Sequence, residues 1–208
     1  ASNFLKNLAD IAPTIIILGN HDGNLKNGDR QDAITPIIDA LQHPGLTLLK
    51  NSGEYSPEPG LTFNVLSVFD RDNWQSPSNN KSINIALYHG AIKGCQVGSG
   101  FRLEHGEDDI SIFDEFDYAM LGDIHKAQMM NSDGTIWYAG STVQQNFGEW
   151  RYKGYLIWNI KGKQGHSVEK RFFSSPRPFI TVHITEDGQL PNDDVPRNAR
   201  LRLISEHN

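Results

Sequence analysis

Thr14-Ile15-Ile16-Ile17-Leu18-Gly19-Asn20-His21-Asp22 is an apolar run that stops at a glycine and passes at once into an amide, an imidazole and a carboxylate. A short isoleucine-rich run introduced by Pro13 suits a strand covered on both faces, and ligands in open α/β sheets gather beyond such strand ends. Gly19 would let the backbone turn sharply there. Asn20, His21 and Asp22 suit a divalent metal and a phosphate ester. On its own the tetrapeptide reads equally as an Asn/Asp turn after a strand.

Two later stretches repeat the design. Ile83-Asn84-Ile85-Ala86-Leu87-Tyr88-His89-Gly90 is a second apolar strand ending in a metal-competent side chain and a glycine. Tyr118-Ala119-Met120-Leu121-Gly122-Asp123-Ile124-His125 is the third. If extended, Asp123 and His125 point to one side, and Gly122 permits the turn that aims both at one centre.

Around these strands the pattern is mixed. Phe4, Leu5 and Leu8 share one helical face over 2–10, as if a helix were already under way. A polar loop over 23–30 leads to a helix with Ile34, Ile37, Ile38 and Leu41 on one stripe, Thr35 and Pro36 at its start and Gly45 beyond its end. Strands are predicted over 46–49, 61–68, 135–139 and 154–160, with an exposed loop over 71–81. The segment 91–109 is glycine-rich and polar and carries Lys93, Arg102 and His105, His105 reading as a surface residue among acids. Trp137, Tyr138, Tyr155 and Trp158 read as packing between layers. After Pro176-Arg177-Pro178 the composition shifts, and 179–184 and 199–204 are predicted as strands of a second unit.

The 208 residues allow one large domain or one plus part of another. No apolar run reaches the roughly 20 residues that span a bilayer, and no signal-peptide layout opens the chain, which predicts a cytoplasmic protein without membrane contact. Cys95 is the single cysteine, so a metal must be held by His, Asp, Glu and Asn. A formal charge of -6 argues against a general polyanion binder. It does not exclude DNA, because bound divalent ions add positive charge that a residue count omits.

In this order, Gly19-Asn20-His21-Asp22, His89-Gly90 and Gly122-Asp123-Ile124-His125 resemble the later motifs of the calcineurin-like metallophosphoesterases. The run 121–126 followed by Tyr138-Ala139-Gly140-Ser141 and Phe147-Gly148-Glu149 resembles the SbcD branch, nuclease subunits of double-strand-break repair that include phage recombination endonucleases. The resemblance covers residues 13–160. It implies an α/β (α+β) fold, a four-layer αββα sandwich, with a nuclease domain over 1–175 and the start of a DNA-binding cap over 176–208. It also implies two-metal phosphodiester hydrolysis with Mn2+, Mg2+ being possible. Asn20 and His89 would bind one metal and His125 the other, while His21 would act on the scissile phosphate and Asp22 would orient His21 or anchor the loop. DNA would be guided by Lys93, Arg102 and Lys126, and the implied partners are an SbcC-type coiled-coil ATPase and a second copy of the chain.

The sequence departs from that pattern in two places. Asp123 stands where the common pattern has histidine, a carboxylate that can still ligate manganese. The family's upstream Asp-x-His and Gly-Asp-x-x-Asp blocks are absent from the 208 residues, so the chain is expected to be an N-terminally truncated fragment, itself inactive. The competing readings are a phosphatase or phosphodiesterase of the same fold and a non-catalytic binding module.

Overall fold

The computed structural model describes residues 1–27, 30–98, 100–185, 187–190 and 195–205. Parts of the predicted loops 23–30 and 91–109, and of 176–208, lie outside the described residues.

Helix α1 (Ser2–Ile11), strand β1 (Thr14–Ile17), helix α2 (Thr35–Leu41) and strand β2 (Leu46–Leu49) form the first layer pair. β1 and β2 are parallel, Thr14 opposite Leu46, and both helices pack against this pair. α2 begins differently from the sequence expectation. Asp32, not Thr35, caps it, accepting from Ile34 and Thr35 N–H at 2.9 and 2.6 Å, and Lys50 pairs with the carboxylate at 2.8 Å. Burial alone would raise the Asp32 carboxyl, yet Lys50 and the capping bonds win and hold it far below the usual carboxylate range.

The next strands are β3 (Gly53–Glu58), β4 (Leu61–Leu66), β5 (Ile83–His89), β6 (Gln96–Val97), β7 (Phe101–Arg102), β8 (Tyr118–Gly122), β9 (Gln128–Met129) and β10 (Ile136–Tyr138). Six of them make the central sheet in the order β3-β4-β5-β8-β10-β9, with β4, β5, β8 and β10 parallel. Ala86, Tyr88, Ala119, Leu121, Ile136 and Tyr138 fill one face, with Ile92, Cys95, Phe113 and Ile124 packed on it. Loops carrying the 3-10 turns Arg71–Asn73 and Ile110–Phe113 cover that face; no long helix does so among the described residues. Their Asp, Asn, Ser and Pro content favours turns.

On the opposite face, at Tyr118 and Trp137, lie β11 (Lys153–Ile160) and β12 (His166–Phe173), an antiparallel hairpin. Tyr118 fixes it there, donating to Gly162 O at 2.6 Å and meeting Trp158 and His166 edge-on. β13 (Phe179–His183) and β14 (Arg200–Ile204) form a separate parallel pair. The result is the mixed α/β, α+β sandwich that the sequence predicts, built around one large sheet.

Candidate metal centre

The ends of two paired parallel strands meet the loop that follows a third strand. β5 and β8 are paired to their last residues, His89 opposite Gly122, and β1 approaches β5. This brings Asn20, His89 and Asp123 together from positions far apart in sequence. Asn20 Nδ2 lies 3.5 Å from Asp123 Oδ1, and His89 Nε2 lies 3.6 Å from the same oxygen.

The two glycines act by size. A Cβ on Gly19 would sit 2.7 Å from His89 Cε1 and Nε2, and one on Gly122 would sit 2.7 Å from His89 Nδ1. The imidazole therefore occupies space that any larger residue at 19 or 122 would fill. The chain turns at Gly19 as expected, with Asp22 N–H donating to Gly19 O at 2.9 Å, but Gly122 does not make the turn expected of it. Asp123 turns the chain itself, at φ 86, a conformation that non-glycine residues adopt rarely and at a cost of about 1–3 kcal/mol. Ile124, 5% exposed and part of the core cluster, holds that turn in place. Asp123 and His125 are thus not two residues of one extended strand, as the spacing predicts, but lie on a turn after β8.

Asn20 Oδ1 is buried and has no hydrogen-bond partner. An orphaned amide oxygen costs about 1–3 kcal/mol unless something donates to it or is coordinated by it. Its neighbours are a carboxylate and an imidazole, and that mixed oxygen and nitrogen set fits a divalent ion such as manganese. The Asp123 carboxyl is held below its usual range chiefly by His89, with burial opposing and His125 and Asn20 adding to it, so it is ionised and ready to ligate. Among the described residues no three His, Cys, Asp or Glu side chains group to hold a metal. Asn20 is what makes the cluster threefold.

His125 is positioned by other means. Its Nδ1 lies 2.7 Å from Glu149 Oε1, and Glu149 Oε2 pairs with Lys153 at 2.8 Å. Lys153 also donates to His125 O at 2.9 Å, and Gln145 N–H donates to Glu149 at 3.1 Å. Both charged side chains are nearly buried, 5% and 6% exposed. Burial pushes the Glu149 carboxyl up, but Lys153, His125 and Gln145 together hold it below its usual value. In the tautomer that gives Nδ1–H to Glu149, His125 keeps a lone pair on Nε2, the form in which histidines bind metal.

The remaining candidates divide. Asp22 anchors the loop, its Oδ2 accepting from Gly19 N–H at 2.8 Å. His21 is exposed at the same loop. Lys126 lines a cleft beside His125 and donates to Gln96 Oε1. Lys93 and Arg102 are exposed on the excursion between β5 and β8 and do not line that cleft.

No family profile matches the chain. It is 38% identical over 218 residues to an uncharacterized protein, R555, of Acanthamoeba polyphaga mimivirus, covering 99% of this chain and 16% of that protein. It is 29% identical over 222 residues to a protein of Invertebrate iridescent virus 6 provisionally named a phosphoesterase, 244L, covering 98% and 73%. With the SbcD component of the SbcCD nuclease of Staphylococcus epidermidis it shares 27% over 176 residues, covering 73% and 47%. These relatives support a metallophosphoesterase-type family. The chain spans less than half the length of the mimivirus and staphylococcal proteins.

For a metallophosphoesterase-type site, the residue that sequence reasoning left without a role is Glu149. It stands within the Phe147-Gly148-Glu149 motif, which was the available signal. Lys153 carried none, since its value comes from a buried partner that spacing does not reveal.

Proposed function

We propose that this protein is a metal-dependent phosphodiesterase acting on DNA, a nuclease of the SbcD type. The observation that carries the reading is the orphaned Asn20 Oδ1 beside His89 and Asp123, where two paired strand ends meet the loop after a third strand. Asn20, His89 and Asp123 would hold one divalent ion, and His125 Nε2 would contribute to a second. When bound, such ions, manganese first and magnesium second, supply Lewis-acid polarisation of the phosphoryl group and hydroxide at neutral pH.

The chain's own residues set the rest. His21, next to the ligand Asn20 and exposed to incoming substrate, stabilises charge on the phosphate or gives a proton to the leaving oxygen. Asp22 keeps that loop closed, so His21 is presented from a fixed backbone. Glu149 holds the His125 ring and its tautomer. A coiled-coil ATPase of the SbcC type and a second copy of the chain are the proposed partners, by analogy with the staphylococcal relative's naming as part of SbcCD. Among the described residues no helix is long and apolar enough to cross a membrane.

The test is a His21→Ala variant of the full-length protein, assayed with manganese on a linear DNA and on bis(p-nitrophenyl) phosphate, alongside p-nitrophenyl phosphate. Turnover of both diesters should fall by roughly 10²–10⁴ with metal stoichiometry unchanged. Loss of a metal equivalent would make His21 a ligand instead. A wild-type protein that prefers the monoester would replace the nuclease reading with a phosphatase.

A further inference from the structure

Next to the candidate metal centre lies a cleft of about 520 Å3, within the usual size of ligand sites. It is lined by His125, Glu149, Lys126 and Lys170 together with the rings of Trp150, Tyr152 and Phe172. The three aromatic rings touch one another, with centroids 4.9, 5.8 and 6.1 Å apart. All remain open to solvent, at 60%, 46% and 50% exposure. Such a large apolar outlay at the surface calls for an occupant.

Charge says which occupant. Among the described residues the one carboxylate lining the cleft, Glu149, is taken up by Lys153 and His125. Lys126 and Lys170 have no carboxylate partner among the described residues, their contacts being Gln96 and the face of Trp137. On a chain of net charge -6 this is a local cationic, aromatic surface. Aromatic rings flanked by such cations suit a strand of nucleic acid whose base stacks while its backbone lies along the lysines. An acidic protein would use the lysines and leave the rings bare, and a paired duplex hides its base faces inside its own stack.

Resting on the nuclease reading, we propose that Trp150, Tyr152 and Phe172 form a stacking platform for an unpaired nucleobase adjoining the scissile phosphate. The substrate is then a single-stranded or frayed DNA end, with Lys126 and Lys170 on its backbone. The base must leave the duplex to reach the rings, so blunt, stable ends bind worse than single strands.

The test is fluorescence anisotropy in EDTA, using labelled oligothymidylate, the same oligomer with abasic positions, and a blunt duplex. The wild-type protein should bind oligothymidylate about tenfold or more tighter than the abasic strand, the effect of roughly one stacked base, and tighter than the duplex. Trp150→Ala should erase the difference between normal and abasic strands, and Trp150→Phe should keep most of it. Equal binding of the two strands by the wild type overturns the platform without any variant, leaving phosphate contacts alone. So does a Trp150→Ala protein that keeps the difference, or a wild type that dimerises through this surface and shows no base dependence. Because binding is read without metal, failure of the platform is separable from failure of the hydrolytic reading, which the diester assays decide.

Discussion

Asn20, His89 and Asp123 on one side, and His125, Glu149 and Lys153 on the other, are held in place by different physics. The first group is delivered by backbone: two strand ends in register with a third strand end beside them, two glycines that clear space and a core isoleucine that pins a turn. The second is delivered by side chains: a buried carboxylate and ammonium that grip a histidine ring and its carbonyl. Backbone delivery spreads its cost over the sheet, so single changes there should alter binding more than folding. Side-chain delivery concentrates its cost in one ion pair, so changes there should alter folding first.

The largest effect is expected at Lys153. Lys153→Met leaves Glu149 ionised, nearly buried and without its ammonium, and should cost about 3–5 kcal/mol in urea unfolding. Adding Glu149→Gln should restore most of that stability, because the uncompensated charge is gone. A loss under about 1 kcal/mol would mean that the pair behaves like an exposed one, and the contrast between the two groups would collapse.

On the backbone side, Asp123→Gly should weaken manganese affinity by about 10–100-fold while the unfolding midpoint moves little, since relief of the positive φ offsets the lost contacts. Titration calorimetry showing wild-type affinity would remove Asp123 from the site. A change of similar size or smaller is expected at Tyr138, whose hydroxyl donates to Gly90 O at 2.6 Å and accepts from Ile92 N–H at 2.8 Å. Tyr138→Phe strands both buried groups behind His89 and should cost about 1–3 kcal/mol. If stability falls with no change at the metal, then His89 is held by its strand alone.

The change with the least expected effect on metal binding lies outside both groups and calibrates them. Asp32 titrates below its unfolded value, so its contribution is complete above the ordinary carboxylate range and is lost as pH falls through and below it. Asp32→Asn should flatten the acid limb of stability without touching metal binding at neutral pH. An unchanged acid limb would assign the pH dependence to other carboxylates.

The backbone group was legible in the sequence because its parts are local: an apolar run, a glycine and a polar residue in each of three places. What those glycines do was not, because the clash they avoid is with a histidine 70 residues or 33 residues away, at 89 from 19 and 122. β12 escaped notice since most of its residues face solvent, leaving little apolar alternation to read. Asp32 was overlooked as a cap because Thr35-Pro36 made a stronger local signal. Glu149 and Lys153 depend on burial, which no spacing encodes.

The position of His89 between two glycine backbones has one more consequence. A ligand on a free side chain must surrender rotamer freedom when an ion arrives, whereas this ring has already surrendered it during folding. Its share of the ordering entropy is thereby moved from the binding equilibrium to the folding equilibrium. Apo and ion-bound protein should accordingly show the same His89 side-chain order in NMR relaxation, and ion binding should involve little rearrangement at that position.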